Sequence, residues 1–273
     1  MLNYFCKLII SFIVKKGEYT MGRLENKVAI VTGGGAGLGK AIAVTYAREG
    51  ASIIIADMNI DAAKLTANEI TENGGKAIAV KTNVTVEDDI QQMVDSAVEA
   101  FGTVDILVNN AGIVDNMYAA GTITDEVWER VFNINVTGNM RATRKVLPIF
   151  EEKKAGVIVN MSSISGLEGG RGGLAYTASK HAIVGMTKNI ASHYGEMNIR
   201  CNAIAPAQVP TDLAKTMRQP DKFGMEQALR GVNLLVRPGK VEEIANIALF
   251  LASDESSYVN GHVIAADAGW SAY

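Results

Sequence analysis

Tyr176 and Lys180 stand four residues apart in a segment whose apolar positions, Leu174, Ala178, Ala182, Ile183 and Met186, recur with a helical period. On a helix that spacing sets a phenol and an amine on one face. A phenol ordinarily titrates near ~10, so a tyrosine that exchanges protons with a substrate at neutral pH needs positive charge beside it. The lysine can supply that charge. The same spacing suits a surface tyrosine and a solvated lysine, and the pair gains meaning from its company: Ser163 lies thirteen residues before the tyrosine, with Gly166, Gly169, Gly170, Gly172 and Gly173 between them.

The elements that must hold these groups alternate along the chain. Short apolar runs at Val28–Val31, Ser52–Ala56, Ala77–Val80, Ile106–Val108, Val157–Asn160, Arg200–Ala203 and Val263–Ala265 predict strands. Helix-length segments separate them, among them Gly37–Glu49, Ala62–Glu72, Glu87–Phe101, Asp125–Phe150 and Leu174–Tyr194. Such alternation predicts an α/β fold with one doubly wound parallel sheet and helices on both faces. Repeats and linkers are absent from the pattern, so residues 22–273 read as a single domain.

Thr32-Gly33-Gly34-Gly35-Ala36-Gly37-Leu38-Gly39 follows the first strand and opens the first helix. In that context bare backbone approaches a pyrophosphate and the amides of the helix N-terminus bind it. Gly34 to Lys40 also reads as the first part of a phosphate-binding P-loop, the signature of a nucleoside triphosphatase, but Ala41 stands where that loop needs a hydroxyl for magnesium. The second strand ends at Asp57, eighteen residues after Gly39. A carboxylate there accepts hydrogen bonds from ribose hydroxyls and repels a 2′-phosphate, which favours NAD over NADP; an Asp that merely starts the next helix is the plainer alternative. Lys40 is the one nearby cation that works against the preference.

Taken together, Ser163, Tyr176-Thr-Ala-Ser-Lys180 and the Thr-Gly-x-x-x-Gly-x-Gly turn resemble the short-chain dehydrogenase/reductase family, and the likeness extends through almost all of residues 22–273. The resemblance implies a Rossmann-type domain of about seven strands. It also implies NAD as cofactor, a small-molecule secondary alcohol or ketone as substrate, and hydride transfer at CH–OH groups without a metal. Gly33, Gly37, Leu38 and Gly39 fall on the family's glycine turn. Asn83-Val84 stand where the family has Asp-Val against the adenine, the Asn keeping an acceptor, and Asn109-Asn110-Ala111-Gly112 match its turn beneath the cofactor, Asn110 in a mostly structural part. Asn135 matches the helix asparagine whose backbone holds a water in line with the lysine. By the same resemblance Ser163 holds the carbonyl oxygen, Tyr176 is acid for reduction and base for oxidation, and Lys180 lowers the tyrosine pKa and binds the nicotinamide ribose. After the sixth strand, Pro206-Ala207 replaces the family's Pro-Gly, while Val209 and the Thr211 hydroxyl remain for the cofactor.

Composition excludes other classes. A net charge of −3 with no basic run argues against nucleic acid. The two cysteines, Cys6 and Cys201, build neither a disulfide framework nor a metal site, and this fits a reducing cytoplasm. Residues 1–21 stand apart: the nine-residue apolar run Cys6–Val14 is too short to span a bilayer, and the segment reads as a loose arm or a misassigned start, with a weak membrane-surface anchor as the alternative.

Val114–Tyr118, Gly166–Arg171 and a candidate lid over Asp212–Asn233 read as pocket walls, mixed apolar with Asp115, Glu168 and Arg171. A 3-oxoacyl thioester reductase is the alternative substrate reading, disfavoured by Asp57, and a catalytically silent dinucleotide sensor is the alternative of another class. The resemblance further implies a homotetramer formed through Asp125–Phe150, Leu174–Tyr194 and the C-terminal end, where Trp270 and Tyr273 suit either such a contact or a cap on their own core.

Overall fold

A computed structural model describes residues 22–217 and 219–272. The expected N-terminal arm and Tyr273 lie outside them. Seven strands, β1 (Val28–Thr32), β2 (Ser52–Asp57), β3 (Lys76–Lys81), β4 (Ile106–Asn109), β5 (Gly156–Met161), β6 (Ile199–Pro206) and β7 (Val263–Ala266), form one parallel sheet in the order β3-β2-β1-β4-β5-β6-β7. Every expected strand is present, and β6 exceeds its predicted bounds most. Parallel strands covered on both faces need apolar side chains at successive positions, which is why short unbroken runs mark them in the sequence.

Successive strand residues feed opposite faces. Ala29, Val31, Ile53 and Ile55 pack with Ile42 and Tyr46 of α1 (Gly37–Arg48), Ile70 of α2 (Ile60–Glu72) and Leu249 of α8 (Val241–Ala252). Val28, Ile30 and Ile54 turn the other way, toward Met93 of α3 (Glu87–Phe101), Phe150 of α5 (Gly138–Lys153) and Ile190 of α6 (Leu174–Tyr194). Each fully buried Ile or Phe contributes roughly 1.5–3 kcal/mol. α8 was not among the predicted helices; the Tyr46 hydroxyl donates to its Ala248 carbonyl at 2.8 Å and ties it to α1.

The segment predicted as one helix over Asp125–Phe150 is three pieces: α4 (Asp125–Phe132), a π turn at Asn133–Thr137, and α5. Within the turn the Gly138 N–H reaches back five residues to Asn133 O. One extra residue in a turn scarcely disturbs an apolar period, so the sequence pattern runs through it. Between β1 and β4 the strand order reverses, opening a crevice at the carboxyl ends of the strands, where open α/β sheets bind ligands. The loops after both strands meet there. Past β6, the candidate lid contains a 3-10 turn at Asp212–Thr216 and the short helix α7 (Lys222–Ala228).

Candidate active site

The glycine turn after β1 is shaped by close contacts. A Cβ on Gly39 would overlap Gly33 O, and one on Gly33 would lie 2.9 Å from Asn110 Nδ2. Gly33 and Gly37 also have positive φ, 64° and 54°. The Asn110 amide donates to Thr32 O (2.9 Å) and Gly33 O (3.1 Å), and Thr32 Oγ1 accepts the N–H groups of Asn110 and Ala111. The ends of β1 and β4 are thereby sewn together, the structural part foreseen for Asn110. α1 has no side-chain N-cap and no acidic residue in its first turn, so its N-terminal amides and positive dipole face the crevice, free for an anion. Asp57 closes the far side: its carboxylate accepts from Gly35 N–H and Asn59 N–H, both at 2.9 Å. Lys40 is engaged with Glu69 at 2.7 Å.

A cavity of about 470 Å3 runs from this turn to the tyrosine and lysine. Gly33, Gly37, Leu38, Asp57, Asn83, Val84 and Asn110–Gly112 line it with Ser163, Tyr176, Lys180, Val209 and Thr211, and Thr211 closes over Gly37, where a Cβ would meet its Cβ at 3.4 Å. Gly39 is not on the lining; it serves the packing of the turn. Asn135 stands just behind, where a Cβ on Gly112 would meet its Oδ1 at 3.2 Å and Lys180 Nζ at 3.7 Å. Asn83 Oδ1 accepts from Thr85 N–H (3.0 Å) and Thr85 Oγ1 (2.8 Å), a local Asx turn that fixes the side chain on the cavity lining.

Tyr176 and Lys180 share a face of α6, the Nζ 5.5 Å from the phenol ring centre. Three neighbours hold this part of the helix. Ser179 Oγ donates to Tyr176 O at 2.7 Å, the Asn135 amide donates to Ser179 Oγ at 3.0 Å and to Ile113 O at 2.9 Å, and Ser162 Oγ donates to Lys180 O at 3.1 Å. Lys180 is 6% exposed, and its Nζ donates to Met161 O at 2.7 Å. Burial pushes its amine down to about 8.

The same burial pushes the Tyr176 phenol up, a hydrogen bond from Ser163 pulls it down, and the nearby Asp115 charge raises it further. The net direction is opposite to the one expected from Lys180. Desolvation outweighs a lysine that is turned toward a backbone carbonyl and is itself inclined to lose its proton.

Asp115 lies in the wall of a pocket, as expected, with its carboxylate turned to the start of α6. It is fully buried and accepts from Tyr176 N–H and Met117 N–H, both at 3.1 Å. α6 has no side-chain cap of its own at Gly173, and a Cβ there would overlap the Asp115 carboxylate. A loop distant in sequence thus caps the catalytic helix. Burial raises the Asp115 pKa against the backbone N–H groups of Tyr176, Met117, Ala175 and Gly173, which lower it.

A second cavity, about 290 Å3, adjoins the first and shares Ser163, Tyr176, Pro206 and Ala207 with it. Met117, Met225, Leu229, Val232 and Trp270 wall it, so the C-terminal tryptophan caps the chain's own core. Nothing in the sequence pattern paired Trp270 with Arg171 or with the lid. Among the described residues, no cluster of His, Cys, Asp or Glu suits a metal ion, and no helix is long and apolar enough to cross a membrane.

A family model described as enoyl-(acyl carrier protein) reductase matches residues 33–271. The chain is 46% identical to 3beta-hydroxysteroid dehydrogenase 2 of Eggerthella lenta over 251 residues, covering 92% of this chain and 96% of that one. It is 40% identical to a 3-oxoacyl-[acyl-carrier-protein] reductase of Thermotoga maritima, covering 90% and 98%. The solved structure of a 7 alpha-hydroxysteroid dehydrogenase complexed with NADH and 7-oxo glycochenodeoxycholic acid superimposes with a TM-score of 0.82 at 36% identity, covering 91% of this chain and 96% of that one.

Proposed function

This chain belongs to the short-chain dehydrogenase/reductase family, and from that premise we propose that it interconverts a hydroxysteroid-type secondary alcohol and its ketone with NAD(H) as cofactor. The observation that carries this reading is the junction of the two cavities: Tyr176 and Ser163 line both, so a reacting carbon in the smaller cavity faces the phenol, the hydroxyl and the crevice together. The crevice fits a dinucleotide in three respects. Bare backbone lines it at Gly37, α1 presents uncapped amides, and Asp57 stands where an adenosine ribose would end. NAD rather than NADP is supported by the fixed Asp57 carboxylate and by the occupation of Lys40 with Glu69.

When bound, the nicotinamide donates or accepts the hydride. Gly33, Gly37 and Leu38 with α1 would hold the pyrophosphate end, with Gly39 packing the turn behind them, and Asn83, Val84 and Asn110–Gly112 would hold the adenine and central part. Val209 and Thr211 would hold the nicotinamide end. Ser163 donates to the substrate oxygen and stabilises charge growing on it. Tyr176, a phenol that burial pushes further up, passes its proton to the carbonyl oxygen in reduction and takes it back in oxidation. Lys180, which donates to Met161 O, would hold the cofactor ribose and support the phenolate. Asn135 holds Ser179 and the Ile113 loop in register, and its backbone offers the route by which Lys180 exchanges protons with water.

Tyr176→Phe tests the assignment, with NADH binding followed by fluorescence and turnover by absorbance on a panel of hydroxysteroids and other secondary alcohols, with NAD and NADP in parallel. Turnover by the wild type with NAD and its loss in the variant, with NADH binding kept, is the expected result; unchanged turnover refutes it. A 3-oxoacyl thioester in the panel covers the second reading, which the Thermotoga relative favours. We further place the protein in the cytoplasm, in keeping with the buried free thiol of Cys201, a placement that fractionation of the source cell would check. We also infer a homotetramer, since Trp128 and Met140 beside the π turn and Leu174 at the start of α6 expose more than a third of their surface.

A further inference from the structure

Two charged residues line the smaller cavity, Asp115 and Arg171, and they differ in what is left of their charge. Asp115 is buried and consumed by the amides at the start of α6. Arg171 is half-buried, with its guanidinium carbon 4.1 Å from the centre of a Trp270 ring and Nη1 donating to Arg230 O at 2.8 Å. Trp270 in turn donates from Nε1 to Gly231 O at 2.8 Å. The guanidinium is therefore fixed between the Gly166–Gly173 turn, the C-terminal turn and the lid. Those contacts are aromatic or neutral, and among the described residues no carboxylate lies within 4 Å of it. Glu168, three residues earlier, makes no ion pair with it.

We propose that Arg171 is an anion-binding element of the substrate pocket, and that the substrate is an apolar ring alcohol or ketone bearing a carboxylate or a comparable single anion away from the reacting carbon. The inference rests on the dehydrogenase reading and adds the charge of the substrate to it. An arginine fixed by stacking has already given up its rotamer freedom, so a bound anion does not have to order it. Its unused N–H groups form a planar fork that matches a carboxylate, and charge-assisted hydrogen bonds of this kind are the stronger ones. The walls supplied by Met117, Met225, Leu229 and Val232 take the apolar body. Among the described residues no other unpaired charge on the cavity lining competes for the anion.

The test uses the enzyme with NADH and two probes, a keto-steroid carrying a side-chain carboxylate and its uncharged primary amide. We expect the acid to exceed the amide in kcat/KM roughly ten- to hundredfold, a gap that narrows at high salt. In Arg171→Gln the ratio falls to about one, and Arg171→Lys, which keeps the charge, retains part of the preference. A wild-type ratio near one overturns the proposal. So does a Gln variant that slows both probes by one factor and leaves the ratio intact, because that result belongs to a lid support. Calorimetric binding of both probes to the enzyme–NADH complex separates the two levels of inference. Preference for the acid in binding without turnover of either probe would sink the dehydrogenase reading and keep the anion site; binding of neither would overturn the anion site.

Discussion

Replacing Lys180 by Met should abolish turnover and yet make the cofactor-free protein more stable at neutral pH. Burial lowers this amine from 10.5 to about 8, and at ~1.4 kcal/mol per pH unit that fall of about 2.5 amounts to about 3 kcal/mol spent on holding the ammonium in the fold at pH 7. Methionine has a similar length and no charge. Against the gain stands the Met161 carbonyl, which loses its 2.7 Å donor at a cost of roughly 1–3 kcal/mol. A net stabilisation of about 1 kcal/mol follows, worth roughly 2–4 °C in Tm for a chain of this size.

The pH dependence supplies the sharper check. The folded-state pKa is depressed, so between about 8 and 10.5 the unfolded chain holds a proton on Lys180 that the folded protein does not. Stability of the wild type therefore gains from this group as pH rises through that window, and the advantage of the variant shrinks. Cys201, pushed up to about 12 by burial, titrates in both proteins and cancels in the difference. Urea unfolding without cofactor, at fixed protein concentration from pH 7 to pH 10, measures it. A variant less stable than wild type at pH 7, or an advantage that does not change with pH, would refute the reasoning.

Asp115→Asn keeps the shape of the helix cap but turns an amide toward backbone N–H groups, and should lose roughly 1–3 kcal/mol of stability by thermal unfolding. It also removes the buried negative charge that raises Tyr176, whose other charged neighbour is Lys180. The acid limb of alcohol oxidation should accordingly move to lower pH, and a pH profile identical to wild type would count against any electrostatic role for Asp115. Sedimentation velocity should give a species of four chains; a monomer across micromolar concentrations would remove the proposed assembly.

Much of this protein is legible without coordinates wherever the governing interaction is local. Parallel strands buried on both faces declare themselves as apolar runs, the bare-backbone turn declares itself by Gly33, Gly37 and Gly39, and helical spacing alone brings Tyr176 and Lys180 to one face. The extra residue of the π turn at Asn133–Thr137 was hidden because an apolar period tolerates it. The Asx turn that fixes Asn83 through Thr85 is local, yet nothing in the apolar pattern marks it. The other departures are long-range. Asp115 caps α6 by accepting from Tyr176 N–H, 61 residues away, and Arg171 meets Trp270 and Arg230 only because the β5, β6 and β7 connections converge over one cavity. Residue types and spacing determined which groups can do chemistry. Only the tertiary structure decided the direction of the Tyr176 pKa, the engagement of Lys180 and the placing of Arg171 as the one unpaired charge that the described residues bring to the smaller cavity, because desolvation and partners distant in sequence exist only once the chain has closed around them.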